Sequence, residues 1–365
     1  MNSVGRWKAY SAIHLSEVAP RDGPDKFAYM VELTNTEPVG KDAEQRASRL
    51  FWFFVLLLSA SSPATPTDFE ARDNPRSSIQ AVSPRLDSVQ DFLGLPEEKI
   101  DIGFDALVLA KEIYSDIDVA AYSAKIDALA DRVRQCAGGG QDPDRRVRCL
   151  NTVIFLNEKY RGSRDAVFTR DPQYFYLNRL LDTKLGNCFT MPLLYVAVGQ
   201  RLRWPIYPVS MPDHYFVRYV DPAFHEQNIE ATSGGAYVTN ERYAKDFLVS
   251  KTGRRKGTYL RTMTYREFLG SLVGHMAVKH ARSENMDKAI AYLTVATKLN
   301  SRDVGAWANL VAINRIMAKR SSGSEAKKYF AMAVQCDKKL KELGFVAPWD
   351  VPLTPSMGGQ TASKR

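Results

Sequence analysis

Residues 184–194 read KLGNCFTMPLL, in which Gly186 and Asn187 precede Cys188 and a mostly apolar run follows. Gly and Asn are typical of turns, and the apolar run predicts a helix over residues 188–203. The cysteine is therefore predicted in the first turn of a helix. There, unpaired backbone N–H groups and the positive end of the helix dipole favour the thiolate, which is the nucleophilic form of cysteine.

A nucleophilic cysteine needs an imidazole to accept its proton and a third polar group to orient the ring. His214 opens a predicted strand, HYFVRYV (214–220), and Glu230 lies in the next predicted strand, NIEAT (228–232). In an antiparallel hairpin, residues of one face on neighbouring strands lie about 4.8 Å apart. The sequence therefore predicts a triad of Cys188, His214 and Glu230.

Other residues compete with Glu230 for the third place. Asn228 could orient the imidazole as an amide does in papain-like proteases. Asp221 falls in the predicted turn, and Asp213 would point away from its neighbour His214 in an extended chain. The remaining histidines lie in a turn, in the C-terminal helical region or near the N-terminus: His225, His275, His280 and His14.

A tetrahedral intermediate at such a cysteine needs hydrogen-bond donors for its oxyanion. The backbone N–H of Cys188 is the natural first donor. The side chain of Asn187 or of Gln200 could supply a second, and its position favours Asn187.

Composition argues against two other classes of function. The chain has 365 residues with 45% hydrophobic and 25% charged residues, which is typical of a globular protein. Its net charge of +9 is spread out, and the basic clusters at 145–148 and 251–256 lack the interleaved aromatics of a nucleic-acid platform. The four cysteines form no CxxC pair and have no histidine at ligand spacing, so we expect no metal site and no cofactor.

The N-terminal region contains the apolar run LFWFFVLLLSA (50–60), preceded by Lys41, Arg46 and Arg49 and followed by small residues and prolines. This order is typical of a signal peptide, and translation could then begin at Met30. As a helix the run would extend about 17–22 Å, short of the bilayer core of about 30 Å. We therefore predict export to the periplasm or cell envelope, with membrane contact only if this segment stays uncleaved. A buried core helix is the alternative.

Export would place the protein in an oxidising compartment, where disulfides persist. Cys136 and Cys149 flank the loop AGGGQDPDRRVR (137–148) and could form one there. Sequence alone does not determine the geometry that this bond requires.

Hydrophobic periodicity predicts an α+β domain followed by an all-helical region. A helical hairpin over 100–136 and a third helix over 146–159 precede the helix over 188–203. A meander of alternating strands follows, with IYPVSM (206–211), HYFVRYV (214–220) and NIEAT (228–232). The predicted parts are a polar leader with the apolar segment, a linker, the α+β domain, the helical region and a disordered tail: 1–64, 65–88, 89–262, 264–344 and 345–365.

The helical region contains an internal repeat. The segments AIAYLTVATKLN (289–300) and AKKYFAMAVQCD (326–337) are offset by 37 residues, and each follows another amphipathic helix. Helix pairs of this length look like tetratricopeptide repeats, whose usual period is about 34 residues. The extra residues fit the SSGS loop (321–324). Such repeats bind peptides or proteins, whereas a plain helical bundle is the alternative.

The order of Cys188, His214 and Glu230, on a helix start and then two consecutive strands, resembles the transglutaminase-like superfamily of papain-type cysteine enzymes. The likeness extends over residues 90–340 and is greatest to the bacterial subfamily with C-terminal tetratricopeptide repeats. The stretches that carry it are IDIGFDALVLAKEIYSDID (100–118), LNTVIFLNEKYRGS (150–163) and YLNRLLDTKLGNCFTMPLLYVAVGQRLRWPIYPVSMPDHYFVRY (176–219).

This resemblance implies a papain-like core, with helices packed on a small antiparallel sheet, and gives the three residues the places of the family's Cys, His and acid. Two residues depart from the pattern: Glu230 stands where the superfamily usually has Asp, and Phe189 stands where animal transglutaminases have Trp. Many members of the subfamily lack the cysteine, so its presence here supports activity. For a bacterial member, the resemblance implies hydrolysis of peptide or isopeptide bonds more often than cross-linking.

We therefore predict a cysteine-dependent hydrolase or acyltransferase that acts on amide or isopeptide bonds of a peptide or protein. The alternative is a catalytically idle transglutaminase-like scaffold that binds protein or peptide partners through its helical repeats. A third hypothesis is that the protein is a structural component of the envelope with neither activity. A thiol-reactive probe separates the enzyme from the others, because an activated thiolate is alkylated faster than free cysteine.

Overall fold

The computed structural model describes residues 88–163, 172–224 and 228–345. The predicted leader, its apolar run, the linker up to residue 87 and the tail after residue 345 lie outside these residues. Among the helices that are described, none combines the length and the apolar character needed to cross a membrane.

The first helices form the hairpin that the periodicity predicts. Helix α1 spans Ile102–Lys111 and helix α2 spans Val119–Ala137. An aspartate caps the start of each helix. The Asp101 carboxylate accepts from the backbone N–H of Phe104 at 3.0 Å, and the Asp118 carboxylate accepts from backbone N–H groups in the first turn of α2. Capping by Asp satisfies backbone N–H groups that have no partner within the helix.

Helix α3 spans Pro143–Asn151 and continues into a π-helical turn at Thr152–Asn157. The sequence predicted a helix over 146–159, so the helical segment exists but begins earlier and changes its winding halfway. Cys149 in α3 is bonded to Cys136 near the end of α2, with the two Cα atoms 5.6 Å apart. The disulfide that the sequence left open is therefore formed in the structure.

Helix α5 belongs to the main hydrophobic core of the described residues. A two-stranded parallel pair joins β1 (Arg161–Gly162) to β2 (Leu185–Gly186), and helix α4 (Leu177–Thr183) lies between them in the chain. Helix α5 then spans Thr190–Leu202, and its residues 190–199 are all buried. A helix that is apolar on all sides is typical of a core position.

The main sheet is antiparallel, with the strand order β3–β4–β5–β6. Its strands are Ile206–Met211, His214–Tyr219, Asn228–Glu230 and Ala236–Tyr237. Alternate side chains divide between two cores. One face joins the main core, and α5 packs on β3 and β4. The other face forms a smaller core with later residues: Val209, Met211, Phe216, Tyr243 and Leu260.

Two short helices, α6 (Asn240–Asp246) and α7 (Lys251–Arg255), follow the sheet, and Tyr243 of α6 belongs to the smaller core. Four longer helices complete the described chain: α8 to α11 at Tyr265–Arg282, Met286–Leu299, Val304–Arg320 and Gly323–Glu342. Each contacts the next, and α8 also packs against α1. The molecule is thus a mostly helical α+β protein, and the assignment of α8 to α11 as tetratricopeptide repeats stays a prediction.

Candidate active site

Asn187 shapes the backbone around Cys188. Its Oδ1 accepts hydrogen bonds from the backbone N–H groups of Phe189 and Thr190, both at 2.9 Å, and its own N–H donates to Thr190 Oγ1 at 3.1 Å. This reciprocal arrangement caps the helix. Regular α5 geometry therefore begins at Thr190, two residues later than predicted, and Cys188 lies in the capped turn ahead of it.

The thiol of Cys188 faces the turn that joins β3 to β4. Its Sγ lies 3.8 Å from the carbonyl oxygen of Asp213, the second residue of that two-residue turn. Asp213 has a φ of 56°, a left-handed conformation that Asp tolerates better than most residues. Cys188 is half-buried.

His214 follows this turn directly and is 8% exposed. Its Nε2 lies 2.7 Å from Oε2 of Glu230. The β4–β5 register pairs Val217 with Ile229, so continuing it sets Glu230 opposite Phe216 and two residues along from the histidine. The contact is therefore diagonal across the strand pair, not side by side as predicted, and long side chains span that separation.

Glu230 has three further hydrogen bonds that the sequence did not predict. Its Oε1 accepts from the backbone N–H of Thr232 at 3.0 Å and from Thr232 Oγ1 at 2.5 Å. Its Oε2 accepts from the hydroxyl of Tyr243 at 2.9 Å. The Thr232 contacts belong to a short-range pattern visible in the sequence NIEAT, whereas Tyr243 comes from another element and carries no local signal.

Phe247 covers one face of the His214 ring. The two ring centroids are 4.6 Å apart and the planes are inclined by 23°, which is a stacked arrangement. Phe247 directly follows α6 and lies four residues after Tyr243. No motif in the sequence connects this aromatic residue with the histidine.

The electrostatics favour a charged pair. Burial lowers the pKa of His214, but hydrogen bonds with the side chain of Cys188 and with Glu230 outweigh it and raise the pKa to about 10. Burial raises the pKa of Glu230, but hydrogen bonds from His214 and Thr232 outweigh it, so the net shift is downward. At neutral pH the site therefore holds an imidazolium against a carboxylate.

The competing acids and amides lie in other environments. Asn228 binds Arg218 Nε through Oδ1 at 2.8 Å and Val238 O through Nδ2 at 3.0 Å. Asp221 accepts from the backbone N–H of Ala223 at 2.9 Å and closes the turn after β4. None of these contacts involves His214, whose carboxylate partner is Glu230.

The other described histidines are also accounted for. His275 donates from Nδ1 to the carbonyl oxygen of Ser271 at 2.7 Å and stacks on Phe189 with ring centroids 3.9 Å apart. His280 belongs to α8, and its Nε2 lies 3.7 Å from Oε2 of Glu112, the residue after α1. His225 and His14 fall outside the described residues.

The two predicted oxyanion donors differ in position. The Asn187 side chain is 2% exposed and uses its oxygen in the helix cap, which leaves its Nδ2 as the group that could donate. Gln200 lies near the far end of α5 and bonds Ile102 N and Ile100 O, both at 2.9 Å. Gln200 is therefore a structural residue, and this alternative was wrong.

Within residues 88–163, 172–224 and 228–345, no group of three or more His, Cys, Asp or Glu side chains could hold a metal ion.

Residues 120–273 match the profile of the Transglutaminase-like superfamily. This stretch includes Cys188, His214 and Glu230, together with Thr232, Tyr243 and Phe247. This part of the chain is therefore similar to the Transglutaminase-like superfamily, and it is built as helices around a small antiparallel sheet.

The curated relatives are distant. A "UPF0162 protein" from each of two strains of Xylella fastidiosa is 26% identical over 122 residues, which is 33% of this chain and 43% of that protein. The mouse "F-box only protein 21" is 28% identical over 74 residues, which is 20% of this chain and 12% of that protein. The matches therefore span less than half the length of these relatives.

Proposed function

We propose that this protein is a cysteine-dependent hydrolase or acyltransferase that acts on amide or isopeptide bonds through Cys188, His214 and Glu230. One observation carries the proposal: the buried imidazole of His214 lies 2.7 Å from the carboxylate of Glu230, while the sulfur of Cys188 lies 3.8 Å from the carbonyl oxygen of Asp213, the residue directly before His214. The match of residues 120–273 to the Transglutaminase-like superfamily supports the same class of chemistry.

The proposed reaction has two halves. In the first, the Cys188 thiolate attacks the carbonyl carbon of an amide, and a C–S bond forms as the carbonyl oxygen becomes an oxyanion. Collapse of this intermediate breaks the C–N bond, and the imidazolium of His214 gives its proton to the leaving amine. Because Nε2 is bound to Glu230, Nδ1 is the nitrogen left to serve the sulfur and the leaving group.

In the second half, water or an amine attacks the thioester. The neutral imidazole of His214 takes the proton of the incoming nucleophile, the C–S bond breaks and the thiolate of Cys188 returns. Glu230 keeps the ring in one tautomer and stabilises its charged form, as the third member of such triads does. The N–H of Cys188 has no protein acceptor among the described residues and is our proposed oxyanion donor, with Asn187 Nδ2 as the second.

Iodoacetamide tests the proposal. We expect Cys188 in the full chain to alkylate at pH 7 at least about tenfold faster than free cysteine, because the thiolate is the reactive form. His214→Ala should remove that advantage. Cys336 is an internal control, since it is the other described free thiol and burial raises its pKa to about 11. Equal labelling of Cys188 and Cys336 would overturn the proposal.

A panel of amide substrates, with and without an amine acceptor, then tests turnover. Mass spectrometry should detect a thioester on Cys188 of the wild type. The Cys188→Ser variant should form none. The acceptor product distinguishes transfer from hydrolysis, because only transfer incorporates the amine.

Export to an oxidising compartment is a further part of the proposal. The Cys136–Cys149 bond supports it, because such bonds are rare where thiols are kept reduced. The helices α8 to α11 are the proposed tetratricopeptide-type surface for a protein or peptide partner, on the basis of the 37-residue offset in the sequence.

A further inference from the structure

The segment that contains α6 is attached to the sheet at its first residue. Asn240 Oδ1 accepts from Arg218 at 2.9 Å and from Asn228 Nδ2 at 3.0 Å. Thr239 caps the helix, since its hydroxyl accepts from the N–H of Arg242 at 3.2 Å. These contacts hold the start of the segment on β4 and β5, the strands that carry His214 and Glu230.

Two aromatic residues of this segment share one face. Tyr243 and Phe247 are four residues apart, and the N–H of Phe247 donates to the carbonyl of Tyr243 at 3.0 Å, so the helical winding continues between them. Side chains with this spacing lie one above the other on a helix. Tyr243 bonds Glu230, and its ring centroid lies 6.3 Å from that of His214, whereas Phe247 stacks directly on His214.

Tyr243 contacts the acid. Its hydroxyl donates at 2.9 Å to Glu230 Oε2, the same oxygen that lies 2.7 Å from the histidine. The Tyr243 ring is 3% exposed and stacks on Phe216 with centroids 4.2 Å apart. The phenol is therefore held rigidly and determines which carboxylate oxygen faces the imidazole.

Phe247 contacts the base. Its ring stacks on the imidazole of His214 at a centroid distance of 4.6 Å. A ring in this position excludes water from one face of the imidazole and opposes rotation of the ring about its side-chain bonds. Water exclusion strengthens the charged hydrogen bonds of the same site.

We infer that Tyr243 and Phe247 are positioning residues for the proposed reaction: Tyr243 orients Glu230 and Phe247 orients His214, so that the imidazole meets the sulfur of Cys188. The inference rests on the proposed function. It deepens that function by assigning a role to α6 and to the residue after it, which lie in a different part of the chain from the three residues that do the chemistry.

The expected effect of Tyr243→Phe is on the pH dependence of the thiol. The groups that face Glu230 are His214 from β4, Thr232 after β5 and Tyr243 from α6. At longer range, Tyr195 from α5 interacts with the charge of Glu230, and Arg218 from β4 interacts with Tyr243. Without the phenol donor, the carboxylate is less stabilised and takes up a proton at higher pH. We expect the acid limb of the Cys188 alkylation profile to move up by about one pH unit.

Phe247→Ala should slow alkylation of Cys188 at pH 7 by about two- to tenfold, which is the range expected for loss of one aromatic pair. Phe247→Tyr keeps the stacked ring and should restore the wild-type rate. If Phe247→Ala fails to fold, Phe247→Leu carries the same test, because it retains most of the volume but has no flat ring.

The chain offers a matched control away from Cys188. The hydroxyl of Tyr292 donates to Glu112, and that carboxylate lies 3.7 Å from His280. Tyr292→Phe removes the same chemical group from the same kind of trio. We expect it to leave the pH profile of Cys188 unchanged, whatever its effect on stability.

The experiment is the second-order rate constant of Cys188 with iodoacetamide from pH 4 to pH 10, measured by peptide mass spectrometry in the wild type and each variant. A shifted profile in Tyr243→Phe, together with a slow Phe247→Ala and a normal Tyr292→Phe, supports the inference. If the wild-type Cys188 is fast but the profiles of Tyr243→Phe and Phe247→Ala superimpose on it, the inference is overturned and the proposed function stands. If the wild type is no faster than free cysteine, the proposed function itself fails.

Discussion

The imidazole of His214 and the carboxylate of Glu230 meet diagonally across strands β4 and β5, with Nε2 2.7 Å from Oε2. A directly opposed pair would be held by strand spacing alone, whereas a diagonal pair depends on the side-chain rotamers. The glutamate supplies the extra length that this geometry needs, and Thr232 holds its other oxygen. The longer acid is therefore compatible with a bound histidine.

Replacing Glu230 by Gln should slow the alkylation of Cys188 at pH 7 by about tenfold or more, since a neutral amide no longer stabilises the imidazolium and each unit of pKa is tenfold in population. The change preserves the size of the side chain, so folding should persist. The measurement is the iodoacetamide rate constant, with Glu112→Gln as the control for loss of another glutamate that pairs with a histidine. An unchanged rate in Glu230→Gln would remove the acid from the proposed mechanism.

Asp105 in α1 should make the protein less stable as pH rises. The residue is 3% exposed, and its Oδ2 has no hydrogen-bond partner within the described ranges. Burial, followed by the nearby charge of Asp101, raises its pKa from 3.8 to about 8. A folded-state pKa above the unfolded one means that the stability present below pH 3.8 is lost progressively up to about pH 8.

The test is urea unfolding of the wild type and Asp105→Asn at several pH values. Relative to the variant, the wild type should lose about 3 kcal/mol of unfolding free energy between pH 5 and pH 8. Asp131→Asn, at an exposed position of α2, is the control for an ordinary surface aspartate. Parallel curves for the wild type and Asp105→Asn would show that the carboxyl is ionised in the folded protein.

The Cys136–Cys149 bond should contribute to stability because it lowers the conformational entropy of the unfolded chain. The two cysteines are separated by 13 residues in the sequence. The double change Cys136→Ala and Cys149→Ala should lower the unfolding free energy by about 3 kcal/mol. The bond joins α2 to α3 and lies in other elements than Cys188, so the iodoacetamide rate of that thiol should not change. Under non-reducing denaturing conditions, mass spectrometry should find two alkylated cysteines, and four would contradict the bond.

Substitutions at two neighbouring glycines distinguish the cost of a left-handed backbone from the cost of a steric overlap. Gly234 and Gly235 have φ values of 68° and 76°, which disfavour any side chain. A Cβ at Gly234 would meet nothing within 4 Å, whereas one at Gly235 would overlap the side chain of Asn151. Asn151 in turn bonds Gly235 O at 3.2 Å and accepts from Tyr195 of α5 at 2.7 Å.

Gly234→Ala should therefore cost about 1 kcal/mol for the left-handed backbone alone. Gly235→Ala should cost about 1–3 kcal/mol more, because the overlap forces the packing apart. Thermal unfolding of both variants gives the comparison. The N–H of Gly235 also donates to the carbonyl of Glu230 at 3.1 Å, so we expect only Gly235→Ala to slow Cys188 alkylation. Equal melting temperatures for the two variants would contradict the role of Asn151.

Most of the secondary structure could be predicted from local patterns. The period of apolar residues indicated the hairpin of α1 and α2, and alternation indicated strands β3 and β4, because these signals depend on residues close in sequence. The start of α5 was misplaced by two residues, since the cap at Asn187 depends on a hydrogen-bond pattern that an apolar run does not encode. The transition to a π-helical turn after α3 had no local signal either.

The sequence by itself determined which residue types were available for chemistry and their order: a cysteine at a helix start, then a histidine and a glutamate on successive strands. Tertiary structure decided that Glu230, not Asn228 or Asp221, faces His214, because that choice depends on strand register. Only the folded chain brought Tyr243 and Phe247 to the pair. Those contacts join side chains from separate elements, and such contacts follow from how the elements pack and leave no periodic trace along the chain.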